Sequence, residues 1–297
     1  MITLQKQIRR RTTTLTLSLL LSLLAVSLSL SQTNERAPLP ISFQSEGHSI
    51  KGLFYPSTTK GSSFTVILLH GFPGSEGDVL GQGQSLSKAG LNALTFNYSG
   101  TFQSEGVQNF ETPLKDIKSA FDFLRQPDMM MKYQIDTTRI ILIGYCYGGS
   151  MALNYAVRHP EIRRVISLVC TEHGEFAREY LRNEQTAMKL DSFFQALKRP
   201  NGPVDFQGKE ELKKLALNPT PYDMVLNAPK IADRDILLVT AWDDFVTVTE
   251  HHHLPLYRAL KKAGAAHVKF VAFQTDHSFR NVREELTTEL ARWIQSK

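Results

Sequence analysis

Cys146 stands in Gly144-Tyr145-Cys146-Tyr147-Gly148-Gly149, between the apolar run Arg139-Ile140-Ile141-Leu142-Ile143 and the small-residue stretch Ser150-Met151-Ala152. That order predicts a strand turning sharply into a helix with a thiol at the bend. The glycines permit the strained turn and let strand and helix approach with no Cβ between them. A thiol is a useful nucleophile only as thiolate, so it needs a base, and the base needs an orienting acid. Both residue types follow in the chain. Thr240-Ala241-Trp242-Asp243-Asp244-Phe245-Val246 offers a carboxylate at Asp243 or Asp244, and Phe273-Gln274-Thr275-Asp276-His277-Ser278-Phe279 offers His277 as base. Asp276 cannot easily orient its own neighbour, because adjacent side chains diverge, so it reads as a turn or helix cap. Earlier, Leu69-His70-Gly71-Phe72-Pro73-Gly74 provides a turn that can aim the N–H of Phe72 at the same point as the N–H of Tyr147. Two such donors would hold the oxyanion of a tetrahedral intermediate.

These residues require elements to position them. Ile41-Ser42-Phe43 and Ser49 to Phe54 flank Glu46-Gly47-His48 and read as an antiparallel hairpin. Short aliphatic and β-branched runs follow at 64–69, 91–96, 139–143, 164–169, 235–240 and 267–273, as strands buried on both faces should be. Stretches with helical spacing alternate with them at 78–89, 110–125, 150–158, 251–263 and 278–296. The alternation predicts an α/β fold, a mostly parallel sheet flanked by helices on both faces. One interval, about 171–234, is longer than a connection needs to be. It is rich in Lys, Glu, Gln and Arg, with turn signals at Arg199-Pro200-Asn201-Gly202-Pro203 and Asn218-Pro219-Thr220-Pro221. It reads as a helical lid insertion over the C-terminal strand ends, where ligands bind in open α/β sheets.

With these motifs assembled, the chain resembles an α/β-hydrolase. Gly-Tyr-Cys-Tyr-Gly-Gly is the Gly-x-Ser-x-Gly elbow of that fold with cysteine for serine, and nucleophile, acid and base follow in its chain order. With Asp244 and His277, the motif is similar to the dienelactone hydrolase family, which uses Cys-Asp-His. The resemblance runs from about Ile41 to the C-terminus. It favours Asp244, directly before Phe245-Val246, over Asp243, because that position resembles the acid turn of the fold. It implies a Cys146-His277-Asp244 triad with Phe72 and Tyr147 as the oxyanion hole, and acyl transfer through a thioester without metal or cofactor. The implied substrate is a small carboxylic ester or lactone. A peptidase or thioesterase of the same fold is the enzymatic alternative, and a catalytically lapsed binding protein the alternative from another class. Two departures stand out. The leader and the long insertion enlarge this chain beyond the compact, cytosolic members, and Phe96-Asn97-Tyr98-Ser99-Gly100-Thr101 with His70-Gly71-Phe72 is similar to general esterases and acyl-peptide hydrolases as well.

Other features bound the reading. The 297 residues are 42% hydrophobic and 21% charged, enough for one sizeable core. Lys6, Arg9, Arg10 and Arg11 account for four of the five net positive charges, so no basic surface points to nucleic acid. Those cations precede a leucine-rich stretch, Leu15 to Leu30, that ends in small residues. Residues 1–31 read as a secretory signal peptide cleaved near Ser29 to Gln32, or as an uncleaved anchor that would associate with a membrane; export, to a periplasm or outside the cell, follows. Residues 32–297 then form the α/β-hydrolase domain; its oligomeric state is not legible. Two cysteines give no disulfide framework. Cys170 reads as a small core residue, with a sharper reading as a disulfide partner of Cys146 near the same sheet edge. His251-His252-His253 reads as a polar helix start rather than a metal site, because consecutive helical side chains diverge. Met129-Met130-Met131 reads as a loop or satellite-core patch, and Tyr98 and Tyr145 as packing or substrate contacts.

Overall fold

A computed structural model describes residues 37–59, 61 and 63–296. The leader expected at 1–31 lies outside the described residues. Eight strands form one sheet: β1 (Leu39–Ser45), β2 (His48–Tyr55), β3 (Ser63–Leu69), β4 (Asn92–Phe96), β5 (Ile135–Tyr145), β6 (Arg164–Leu168), β7 (Asp235–Ala241) and β8 (Val268–Phe273). Their order is β1-β2-β4-β3-β5-β6-β7-β8. The first two strands pair as the expected hairpin, with Ser45 opposite His48, and β2 joins β4 antiparallel. From β4 to β8 every pairing is parallel.

Successive side chains of these strands enter opposite faces. Ile67, Leu69, Leu94, Phe96 and Leu142 belong to one core cluster, and Val66, Leu68, Ala93, Ile141 and Ile143 to the other. Apolar runs without polar alternation therefore fill two cores at once, as the pattern of a doubly covered parallel sheet demands. Leu86 of α1 (Gln82–Lys88) completes the second core. The first is closed by Ile117, Ala120 and Phe121 of α2 (Thr112–Leu124). A short α3 (Pro127–Tyr133) carries Met129-Met130-Met131, so the methionines lie on a helix rather than in a loop; Met129 packs on the first core and Met131 is exposed. The first core also takes Met151 and Leu153 of α4 (Tyr147–Arg158).

Between β6 and β7 the insertion folds as α5 (His173–Arg182), α6 (Glu184–Leu197), α7 (Gly208–Leu217), α8 (Met224–Asn227) and a 3₁₀ turn at Ala228–Ile231. Buried Glu172 caps α5 by accepting from the amides of Gly174 (3.2 Å) and Glu175 (2.7 Å), and it also accepts from Met224 N (2.7 Å). Arg178 joins Glu172 (3.4 Å), Glu175 (2.8 Å) and Asp223 (2.7 Å), tying the first and last helices of the insertion together. The Arg199 to Pro203 turn closes with Gly202 N donating to Lys198 O (3.0 Å). The segment that follows is stitched by isolated bridges to the loop after β4: Phe102 N donates to Pro203 O (2.8 Å) and Gln108 N to Asp205 O (2.8 Å).

The chain ends on α9 (Thr249–Lys262), after β7, and α10 (Arg283–Gln295), after β8. Leu256 and Leu260 of α9 enter the first core; Leu286, Leu290 and Ile294 of α10 enter the second. The histidine triplet departs from a polar helix start: His251 is exposed, but His252 and His253 are buried. His253 Nδ1 lies 3.9 Å from the Cys170 thiol and His252 Nε2 lies 4.0 Å from Glu179 of α5. Tertiary packing of α9 under the insertion, invisible to a local reading, makes that difference. No helix among the described residues is long and apolar enough to cross a membrane.

Candidate active site

Every residue expected to carry chemistry follows the C-terminal end of a parallel strand. Cys146 links β5 to α4 with φ 53° and ψ −117°, a conformation that costs a non-glycine residue about 1–3 kcal/mol and persists only where its surroundings impose it. The surroundings do impose it. A Cβ at Gly148 would stand 2.5 Å from the carbonyl oxygens of Leu69 and His70, and one at Gly144 would overlap the backbone of Gly148. Cys146 N donates to Leu168 O (2.9 Å), and Thr171 N donates to Cys146 O (3.3 Å), fastening the bend to the end of β6. The Thr171 hydroxyl lies 3.5 Å from the Cys146 thiol, a neighbour the sequence did not single out.

His277 Nδ1 lies 2.7 Å from Asp244 Oδ2. Asp244 is buried and also accepts from Val246 N (2.7 Å), Thr247 N (3.0 Å) and the Thr247 hydroxyl (2.7 Å). Asp243 instead points away, accepting from the exposed Gln274 amide at 2.7 Å. Burial alone would raise the Asp244 carboxyl, but hydrogen bonds from His277 and Thr247 outweigh it and hold the group at about 2. Burial would likewise depress His277; its hydrogen bonds with Asp244 and Cys146 and their charges prevail and lift it to about 10. Asp276 accepts from Ser278 N (3.0 Å) and pairs with Arg280 (2.8 Å), the turn-capping role expected of it.

Cys146, His277, Phe72 and Tyr147 line one cavity of about 330 Å³. Gly71 lies so close to the bend that a Cβ there would stand 3.1 Å from Cys146 Cβ. The Phe72 and Tyr147 rings meet edge to face at 5.8 Å. The N–H of Tyr147, at the first position of α4, has no acceptor within its helix. The preceding His70 is buried, its Nε2 2.8 Å from the Thr95 hydroxyl, and burial pushes it down to about 4. Tyr98 donates its hydroxyl to His70 O (2.9 Å) and is fully buried, whereas Tyr145 lines the cavity with its ring centroid 5.2 Å from that of His277. Cys170 is a free, buried thiol, as is fitting for a core position, and burial pushes it up to about 12; Cys146 is also free.

The rest of the cavity wall was not legible in the sequence. Phe193 and Phe194 of α6, Phe206 of the stitched segment, Phe176 of α5 and Phe110 surround it. Phe194 meets Phe72 edge on and Phe206 meets it at a tilt, each with centroids 5.3 Å away. Among the described residues no Asp, Glu, Lys or Arg lines the cavity. Among the described residues no group of His, Cys, Asp and Glu could hold a metal ion.

Comparisons with known proteins agree with this architecture. The chain matches a proline iminopeptidase of Saccharolobus solfataricus at 29% identity over 110 residues, 35% of this chain and 32% of that protein. It matches an uncharacterized protein of Salmonella typhi at 29% over 111 residues, 36% of each. The chain thus spans about a third of the length of these curated relatives. Among solved structures, an esterase of Pyrococcus furiosus superposes with TM-score 0.65 at 17% identity, covering 88% of this chain and 91% of that one. An acylaminoacyl peptidase of Pyrococcus horikoshii gives 0.64 at 18%, covering 90% of this chain and 42% of that one. At such identities these likenesses speak for the fold alone. The family described as alpha/beta hydrolase fold matches residues 65–274, well over half of the sequence, and the chain belongs to it.

Proposed function

We propose that the protein is a hydrolase of carboxylic esters or lactones acting through Cys146, with dienelactone hydrolase-like character. The observation that carries this reading is the 2.7 Å bond between His277 and Asp244 in the cavity that Cys146 also lines. His277, oriented by Asp244, takes the thiol proton, and the thiolate sulfur attacks the carbonyl carbon. The N–H groups of Phe72 and Tyr147 hold the oxyanion, aided by the N-terminal end of α4, where unpaired amides and the helix dipole favour negative charge. The intermediate collapses as His277 gives its proton to the leaving oxygen, leaving a thioester on Cys146. Water then loses a proton to His277 and attacks the thioester, releasing the acid and the thiolate. A cavity walled by aromatic rings and lined by no described Asp, Glu, Lys or Arg suits a neutral substrate. A peptidase reading draws on the iminopeptidase and acylaminoacyl peptidase likenesses, but the lack of a described Asp, Glu, Lys or Arg in the cavity wall to receive a free terminus favours the ester. We also read the leader as directing export, which the N-terminal mass of the recovered protein would check.

The test is hydrolysis of a p-nitrophenyl short-chain ester by the reduced enzyme beside Cys146→Ala. Turnover should vanish in the variant, with a transient acyl adduct at residue 146 caught by acid quench only in the parent. Undiminished turnover in Cys146→Ala would discard the mechanism.

A further inference from the structure

Two polar side chains in the wall of the Cys146 cavity have buried atoms without a hydrogen-bond partner among the described residues. His173, at the start of α5 and 1% exposed, has neither ring nitrogen paired; Gln108, also 1% exposed, has its amide oxygen unpaired. Native structures rarely keep such groups, because each forfeits its bond to water. Both pack against the same ring: Gln108 Nε2 donates to the Tyr147 hydroxyl at 3.3 Å, and the His173 ring lies 5.4 Å from that of Tyr147 and 5.3 Å, edge on, from that of Phe110. Aromatic rings make up most of the remaining wall.

The chemistry of the two groups is complementary. Burial pushes His173 down to about 3, helped by the nearby His252, so its imidazole is neutral and offers one N–H and one lone pair. The Gln108 oxygen can only accept. A hydroxyl donates once and accepts as well, so a single hydroxyl can donate to Gln108 Oε1 while accepting from the His173 N–H. A carboxylate or ammonium would enter a cavity with no described Asp, Glu, Lys or Arg to pair it, and His277 is already engaged by Asp244 and Cys146. We infer that His173 and Gln108 are specificity-determining residues that select a substrate carrying a neutral, hydroxyl-bearing aromatic group, seated among Phe72, Phe110, Phe194 and Phe206. The inference takes the cavity as the substrate site and so rests on the proposed function.

The experiment separates the two claims by measuring binding rather than turnover. Cys146→Ala protein is titrated calorimetrically with 4-phenylbutan-2-one, an unhydrolysable stand-in for a benzyl ester, and with its ortho-, meta- and para-hydroxy derivatives. At least one hydroxylated isomer should bind about 10-fold tighter than the parent ketone. Adding His173→Phe or Gln108→Leu should bring that ratio close to one, whereas His173→Gln, which keeps a donor, should retain part of it; thermal unfolding verifies that each variant is folded. The inference is overturned if no isomer outbinds the parent, if none of the four ketones binds, or if the preference survives both apolar substitutions. Failure of wild-type protein to cleave any ester would instead sink the proposed function and leave the binding ratio intact.

Discussion

Asp243 and Asp244 are the same residue type one position apart, and their environments make them different groups. Asp244 is enclosed by His277 and by two amides and a hydroxyl from Val246 and Thr247, while Asp243 faces solvent beside Gln274. Asp244→Asn should therefore lower kcat by about 10³–10⁴-fold, since the amide cannot stabilise the imidazolium, whereas Asp243→Asn should change it by no more than about 2-fold. Steady-state kinetics on one ester decides both. The high proton affinity of His277 has a consequence for pH. As pH rises through about 10, His277 loses the proton that the proposed mechanism delivers to the leaving oxygen. An alkyl ester, whose alkoxide needs that proton, should show an alkaline fall in kcat/KM near that pH; a p-nitrophenyl ester, whose leaving group needs none, should not. Folding stability follows the same groups. The His277 contribution is full below its ordinary 6.5 and is lost as pH climbs to about 10; that of Asp244 is full above 3.8 and is lost as pH falls towards about 2. The urea midpoint of the wild type should drop between pH 6.5 and 10 by more than that of His277→Gln.

At the scale of elements, the insertion both builds the cavity wall and depends on one cation. Glu172 and Asp223 keep almost no side-chain exposure, and Arg178 is their shared partner. Replacing it with methionine strands two buried carboxylates. Because Arg178 is itself partly exposed, Arg178→Met should cost about 1–3 kcal/mol rather than the 3–5 of a fully buried pair, read from chemical denaturation. The insertion at about 171–234 was legible as helical and as interrupted by turns at Arg199 to Pro203 and Asn218 to Pro221, since proline and glycine punctuate a chain locally. The individual helices were not, because their polar faces dilute the apolar spacing. Nor was the pairing of residues 203–205 with the loop after β4, which joins positions about a hundred residues apart through backbone atoms that carry no sequence signal.

At the scale of the molecule, one sheet separates two cores, and each central strand serves both. Leu142 is fully buried in the first core while its neighbours Ile141 and Ile143 fill the second. Leu142→Ala should cost about 2–5 kcal/mol, measured by denaturant unfolding, because the sheet cannot collapse into the void from either side. The parallel α/β architecture, the hairpin at its edge and the bend at Cys146 were all determined by the sequence alone. Apolar runs without alternation, helical spacing between them and glycines at a strand-to-helix turn are local signals with one dominant structural solution. Asp244 was preferred there only by resemblance to an acid turn; the fold brings that carboxylate, and not Asp243, to His277. Tertiary structure alone also brought Thr171, Gln108, His173 and five phenylalanines around the thiol, and buried two histidines of a run that reads as polar. Local periodicity specifies which face of an element is apolar. Which distant element covers that face, and which polar group is sealed beneath it, depends on contacts between residues far apart in the chain.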